Sequence, residues 1–396
     1  MNRQTIRPGT SLVLFRCCTI VLAFFIPNLA LAANKAVAED STPHPAIYSF
    51  DEAARRGVVD FVVNPWAKIS YDAILANLKE LQPGLVNRLG FQYGGITLKK
   101  LNYTGDMARR IHDVLPQARI GGGFPENLKA DYSETLPCDN DTDMETFSRP
   151  ALTSSPAGTG GKYYWIDPSL EAAQRYYICV GKAQIRRGFA HLHFEESDNV
   201  LKQSKSRAGS LAGYAHVRDV LLDYGKSQGV AVSFSGEPDL AASLPLESIY
   251  VPSRFYENTF DTQYRNRITT DVGKRYSYVL SSAIVEHYVG LVPSRTKVMF
   301  YIDNFDYRQD DLRRMMELDA PNRRILITRS ASAAHQHGAI FIPSLNHCDG
   351  CIPPEFVGDP NELLPGGKIS YYDAAACSDF QTIHDALEIH PKQSSR

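Results

Sequence analysis

Short apolar, strand-like runs alternate along this chain with stretches of helical periodicity, and that alternation limits the folds open to it. The runs are Val58–Val63, Leu85–Phe91, Arg119–Gly123, Ala190–Phe194, Ala231–Phe234, Ser248–Val251, Val298–Ile302 and Ala339–Ile342. Between them, Tyr71–Leu81 carries Ile74, Leu75, Leu78 and Leu81 on one 3.6-period face. Leu170–Arg187 is opened by Asp167-Pro168 and closed by Gly188, which are start and stop signals for a helix. Leu211–Tyr224, Ser277–Val289, Asp310–Leu318 with Asn322–His337, and Asp379–Leu387 complete the helical set. Strands that each feed a helix are built into parallel sheets, and eight such units predict an α/β fold of the (β/α)8 TIM-barrel type in a single domain. The rival, an open doubly wound sheet, lacks its usual mark. Gly121-Gly122-Gly123 runs into Phe124-Pro125 instead of a helix N-terminus, so it is no dinucleotide fingerprint.

Residues 1–32 read as a signal peptide outside that fold. Arg3, Arg7 and Arg16 supply positive charge, Cys17–Ile26 is apolar, and Ala30-Leu31-Ala32 is a small-residue cleavage site. Residues 33–55 read as a linker and 56–390 as the barrel. The expected location is secreted or periplasmic, with no membrane insertion after cleavage. A net charge of -2 gives no case for nucleic acid. Cys138, Cys179, Cys348, Cys351 and Cys377 remain after cleavage, so disulfides are possible and an odd thiol is left over. Cys348-Asp-Gly-Cys351 reads as a stapled loop and Cys179 as a buried helical thiol. Two long connections are expected, Phe124 to Tyr164 after the third strand and Pro343 to Lys368 after the eighth; together they could wall a cleft.

The chemistry concentrates in Gly188–Glu196, a buried strand with two histidines and two terminal acids. A period of two puts His191, His193 and Glu195 on the inner side, with Leu192, Phe194 and Glu196 on the flank. Acids at the carboxyl end of a barrel strand stand where barrel enzymes do their chemistry.

The segment Trp165-Ile166-Asp167-Pro168-Ser169, a helix, and then Gly188-Phe189-x-x-Leu192-His193-Phe194-Glu195-Glu196 resembles a pattern in glycoside-hydrolase-type TIM barrels. The resemblance covers about 35 residues closely. It implies that Glu195 occupies the position of the strand-end acid, and that His191 and His193 stand where chitinase-like barrels carry aspartates. A glycosidase needs two carboxyl groups. The expected pair is Glu195 as general acid/base and Asp303, after Val298–Ile302, as nucleophile or base. Glu126, Glu237 and Glu257 are reserves.

Trp66, Arg88, Gln92, His193, Glu196, Glu237, Arg254, Tyr256, Glu257, Tyr301 and Asn346 are expected to contact substrate, an oligo- or polysaccharide. The 21 tyrosines fit a sugar ligand and also ordinary packing. No cofactor and no metal is expected. Two alternatives remain open: a carbohydrate-binding barrel without catalysis, motivated by the histidines, and a metal-assisted hydrolase using His191, His193 and Glu195.

Overall fold

The computed structural model describes residues 47–63, 71–90, 94–157, 161–253, 280, 282–302, 320–352, 371–374 and 379–388. For Gly90, Pro252, Ser253, Asn322, 346–352 and 371–373 only the backbone is described. Residues 1–32 and most of the expected linker lie outside this set.

The predicted alternation folds into a parallel barrel. Its strands are β1 (Val58–Phe61), β2 (Leu85–Gly90), β3 (Arg119–Phe124), β9 (His191–Phe194), β10 (Ser233–Gly236), β11 (Ser248–Ser253), β12 (Lys297–Ile302), β13 (Ile340–Ile342) and β14 (Ser344–Ile352). Neighbours pair in the order β13-β12-β11-β10-β9-β3-β2-β1-β14, all parallel, and β15 (Tyr371–Asp373) adds an antiparallel edge to β14. The two ends of that order are joined by one residue. Pro343 splits a single long strand into β13, which pairs with β12, and β14, which pairs with β1. Proline has no N–H to donate but keeps its carbonyl, and that carbonyl accepts from the Asp60 amide at 3.0 Å. The eighth barrel strand therefore bends at Pro343 and closes the ring. This extends the predicted Ala339–Ile342 strand into residues expected to be irregular. It also puts Cys348 and Cys351 on β14, beside a bulge between Cys348 and Ile352, instead of in a loop.

Helices α2 (Asp72–Leu81), α3 (Leu98–Val114), α5 (Glu171–Arg186), α7 (Arg207–Ser227), α9 (Ser282–Leu291), α10 (Ala320–Gln336) and α11 (Phe380–Glu388) follow the strands. The sequence reading does not place α3, whose N-cap is Thr97 accepting from the Lys100 amide at 3.2 Å. Nor does it place α1 (Phe50–Arg56), which occupies the end of the expected linker. Ser49 caps α1 by accepting from the Glu52 amide at 3.2 Å.

Burial divides into two cores. The larger lies between strands and helices, where Phe194 stacks on Phe124 and Phe234 and meets Tyr214 of α7 edge-on. The smaller fills the barrel: Phe50, Ala53 and Ala54 of α1 pack with Val58, Leu85, Tyr250, Met299, Tyr301, Ile340 and Ile342. Helix α1 is thus the plug of the barrel interior, with Phe50 stacked on the His191 ring at 5.2 Å.

The long connection after β3 is present, and it is folded. It holds β4 (Asn127–Lys129), β5 (Ser133–Pro137), β6 (Met144–Ser148), α4 (Arg149–Leu152), β7 (Thr153–Ala157) and β8 (Tyr163–Ile166), arranged as a three-stranded and a two-stranded antiparallel sheet. A Cys138–Cys179 disulfide ties it to α5, which corrects the reading of Cys179 as a buried free thiol. Arg175 and Lys182 of α5 add ion pairs to Glu145 and Asp139. Those pairs are partly exposed and individually weak, so the covalent link dominates. It closes a loop of 41 residues, for which chain entropy predicts about 4 kcal/mol. The double variant Cys138→Ser/Cys179→Ser is expected to lose stability of that order in denaturant titrations, and reductant should no longer affect it. Equal stability with and without the bond would show that the insertion holds to α5 by its other contacts.

Candidate active site

The site is built from the inner faces of the barrel strands. On β3 the run Gly121-Gly122-Gly123 lies beside β9, with Gly121 level with His191 and Gly123 level with His193. A Cβ on Gly121 would lie 2.4 Å from Asn87 Oδ1, and one on Gly122 2.4 Å from Gln184 Oε1 of α5. The absent side chains thus leave room for a polar filling inside and a close helix outside.

That filling forms a column. At its base Arg119 donates to the Tyr48 carbonyl, to Ser233 Oγ at 3.0 Å, and to the carbonyls of Ala190 and Ala231; burial lowers its pKa to about 10. Above it, His191 Nδ1 lies 2.8 Å from Ser233 Oγ and its Nε2 lies 2.9 Å from the Tyr250 hydroxyl. Tyr250 donates to Asn87 Oδ1 at 2.9 Å, and Asn87 Nδ2 donates to Asp60 Oδ1 at 3.2 Å. Arg88 reaches Asp60 Oδ2 at 3.4 Å and lies over the Tyr301 ring, 4.5 Å from its centroid. At the top, His193 Nδ1 lies 2.9 Å from Ser235 Oγ and its Nε2 lies 2.8 Å from Glu195 Oε2. Because Tyr250 commits its hydrogen to Asn87, its oxygen accepts from His191, and His191 is the Nε2–H tautomer.

Burial governs the electrostatics of this column. Glu195, 7% exposed, is pushed up to about 7 by loss of hydration, opposed by the Arg88 charge. Asp60 rises to about 6 for the same reason, against the pull of Arg88 and Asn87. His191 and His193 are driven well below the usual histidine range by burial, then by the charges of Arg119 and Arg88 respectively. Both imidazoles are therefore neutral donors and acceptors.

Further acids gather at the strand ends. β9 ends at Phe194, and Glu196 turns at φ 47°, so the expected alternation stops before it reaches this residue. Glu196 is as buried as Glu195, accepts from the Asn199 amide, and its charge raises the pKa of Glu237. Glu126 follows β3, 1% exposed, with Oε1 held by Asn127 at 2.6 Å and no hydrogen-bond partner for Oε2 among the described residues. Burial and then the Glu195 charge push its pKa well up. Glu237 accepts from the Asp198 amide at 2.7 Å, while Asp198 accepts from the amides of Asp239 and Leu240. The short helices α6 (Ser197–Gln203) and α8 (Pro238–Ala241), which follow β9 and β10, thus cap each other.

Of the residues expected at the site, Glu195, Arg88, His193, Glu196, Glu237 and Tyr301 are described and lie along this column or at its mouth. Arg88 and His193 are engaged by protein groups, Asp60 and Glu195, where the sequence suggested ligand contacts. Asn346 lies on β14 opposite Phe61 of β1. Asp303, Trp66, Gln92, Arg254, Tyr256 and Glu257 lie outside the described residues.

Asp60, Asn87, Tyr250, Ser233 and Ser235 were missed. Their signal was available: Asp60 is a lone carboxylate inside Val58–Val63, and Ser233 and Ser235 alternate in a buried strand. His191, His193 and Glu195 do not converge as a ligand set, since both nitrogens of His191 face Ser233 and Tyr250. Among the described residues the group with metal-ligand proximity is Cys138, Glu145 and Cys179, and its two cysteines form the disulfide.

No protein-family model and no curated protein sequence matches the chain. Solved structures do. Eubacterium rectale Amy13B aligns with a TM-score of 0.51 at 10% identity over 86% of this chain and 80% of its own. The glycoside hydrolase domain of PelA from Pseudomonas aeruginosa aligns at 0.39 and 12% identity, over 73% and 93%. A Bacteroidetes-affiliated GH5 cellulase aligns at 0.46 and 11%, over 85% and 92%. At such identities the likeness speaks to architecture, and with the closed strand order it gives a TIM barrel.

The raised carboxyl sets a pH dependence. Folded Glu195 holds its proton up to about 7, against 4.5 for a free glutamate. The folded state therefore binds more protons than the unfolded chain across that interval, and this group's contribution to stability falls as pH rises through it. The full difference is on the order of 3 kcal/mol. Glu195→Gln, which cannot ionise, is expected to melt at a higher temperature than the parent at about pH 8, with the gain shrinking toward about pH 5. A gain that grows on acidification would contradict the assignment.

Proposed function

We propose that this protein cleaves glycosidic bonds, with Glu195 as the group that protonates the leaving oxygen. The observation that carries this reading is a buried carboxyl at the end of the fourth barrel strand, held by His193 and titrating at about 7. A proton donor works best when its pKa lies near the operating pH, because it is then both present and acidic enough to give the proton up. After the leaving group departs, the same carboxylate is the base that draws a proton from water. Arg88 limits the rise in pKa and keeps the ionised form accessible.

The second carboxyl group in this reading is Asp303, where Val298–Ile302 leads to the strand end. Glu126 is the competing candidate among the described residues, supported by its unpartnered Oε2 and its coupling to Glu195. The substrate class is an oligo- or polysaccharide, in keeping with the barrel architecture and the Trp165–Glu196 pattern. Export is part of the proposal, supported by the apolar run Cys17–Ile26 and by the Cys138–Cys179 disulfide, a bond that forms in oxidising compartments. Among the described residues no helix is long and apolar enough to cross a membrane.

Purified protein is to be incubated with a panel of α- and β-linked glycans and the released reducing ends measured. Glu195→Gln should lower turnover by about 100-fold or more. Asp303→Asn and Glu126→Gln then separate the two candidates, since azide restores turnover when a missing nucleophile is replaced and forms a glycosyl azide. Unchanged hydrolysis in Glu195→Gln would end this reading, and binding without turnover would favour a carbohydrate-binding barrel.

A further inference from the structure

The structure assigns His193 and Ser235 as positioning residues that hold Glu195 Oε2 as a permanent acceptor and leave Oε1 as the oxygen that carries the exchangeable proton. The assignment concerns the same carboxyl group as the proposed hydrolysis and rests on that reading only for its consequence in turnover.

Strands β9 and β10 pair so that Ser233 stands level with His191 and Ser235 level with His193. Each serine puts its Oγ against the Nδ1 of its histidine, at 2.8 Å and 2.9 Å. In the lower rung the direction of the hydrogen bonds is fixed from outside. Tyr250 gives its hydrogen to Asn87, so His191 donates from Nε2 and receives the Ser233 hydrogen at Nδ1. The upper rung has the same serine, the same ring nitrogen and the same contact, two residues further along both strands. Its Nε2 meets Glu195 Oε2 at 2.8 Å. With Ser235 donating to Nδ1, the hydrogen of neutral His193 sits on Nε2 and is directed at Oε2. An oxygen that already accepts along that line has no room for its own hydrogen there, so a proton taken up by Glu195 goes to Oε1.

The proton count is simple. With Glu195 ionised, the unit holds the Nε2 hydrogen and the Ser235 hydroxyl hydrogen. With Glu195 protonated, it holds these two and one more on Oε1, and it is this third proton that a leaving oxygen would receive. His193 stays neutral in both states, because it is buried and Arg88 lies nearby.

The charged and titratable groups around the pair come from every neighbouring strand. Asp60 on β1, Arg88 on β2, Glu126 after β3, His191 on β9 and Glu237 after β10 act on it electrostatically, and Glu196 after β9 acts on Glu126 and Glu237. Tyr250 on β11 contacts the His193 ring at 4.4 Å, and Tyr301 on β12 packs against Tyr250. The His193 ring nitrogens themselves meet Ser235 and Glu195.

The experiment is long-range proton–nitrogen correlation spectroscopy on the full chain labelled with nitrogen-15 histidine, from about pH 5 to about pH 9, a window that brackets ordinary histidine titration. The His193 signals are identified by their loss in His193→Asn and, should that variant not fold, by their shift in Glu195→Gln. The expected result is a neutral Nε2–H ring across the whole range, with a small shift at Nε2 near pH 7 as Glu195 titrates. In Ser235→Ala the Nδ1–H form should appear below about pH 7, where Glu195 is protonated and can turn its hydrogen toward Nε2, and be lost above it, where the carboxylate can only accept. An imidazolium in this range, an Nδ1–H ring in the parent, or a tautomer indifferent to Ser235→Ala would each overturn the assignment. Hydrolysis is not part of this readout. If the spectra agree and no glycan is cleaved, the proposed reaction fails and the positioning stands; if glycans are cleaved and the spectra disagree, the reverse holds.

Discussion

A buried column of polar groups inside an apolar barrel is the constraint on which the rest of this structure depends. Unpaired, each of those groups would cost on the order of 1–3 kcal/mol, and charged ones more. The protein meets the cost by linkage. Arg119, Ser233, His191, Tyr250, Asn87, Asp60 and Arg88 form one connected path, and Ser235, His193 and Glu195 form a second beside it. The sequence around the path is explained by it. Glycines on β3 leave the space, serines on β10 supply the small hydroxyls, and Phe50 of α1 covers the His191 ring.

The same column ties energetics to the candidate chemistry. Low hydration is what raises Glu195 toward neutrality, and it is also what keeps the two histidines uncharged. A carboxyl group raised this way weakens the fold at neutral pH, because the ionised form is poorly solvated. Stability given up at the site is recovered elsewhere, in the apolar layer around Phe194 and in the disulfide that fastens the insertion.

Much of the architecture was legible because barrel strands carry strong local signals. Val298–Ile302 is an unbroken apolar run, Leu85–Phe91 is strand-like in spite of Asn87 and Arg88, and the Asp167-Pro168 and Gly188 boundaries bracket α5 closely. The misses have physical reasons. Helix α3 mixes Lys, Asn, Thr, Gly and Arg among Leu101, Met107, Ala108 and Ile111, so its apolar face is thin. Helix α1 was announced by Ser49-x-x-Glu52, a capping signature, but seven residues give a period little room to show. The insertion is rich in Ser, Thr, Asp and Gly and reads as loop, yet it folds because its strands pair within it and a bond between residues far apart holds it to α5. Glu195 was found because strand period and strand end coincide. The Asp60 to Ser233 path was not, since its members come from five strands and only folding brings them together.

The exchange of caps between α6 and α8 has a consequence for how this barrel can vary. Glu237 satisfies the helix after β9, and Asp198 satisfies the helix after β10, so neither turn is complete without the other. Barrel enzymes diversify largely by changing one strand-end loop at a time. Here a residue inserted in either loop would pull a carboxylate away from its neighbour's open amides and disturb two corners of the mouth at once. The rim beside Glu195 therefore changes as a pair, which leaves the other strand ends as the places where a loop can vary at small structural cost.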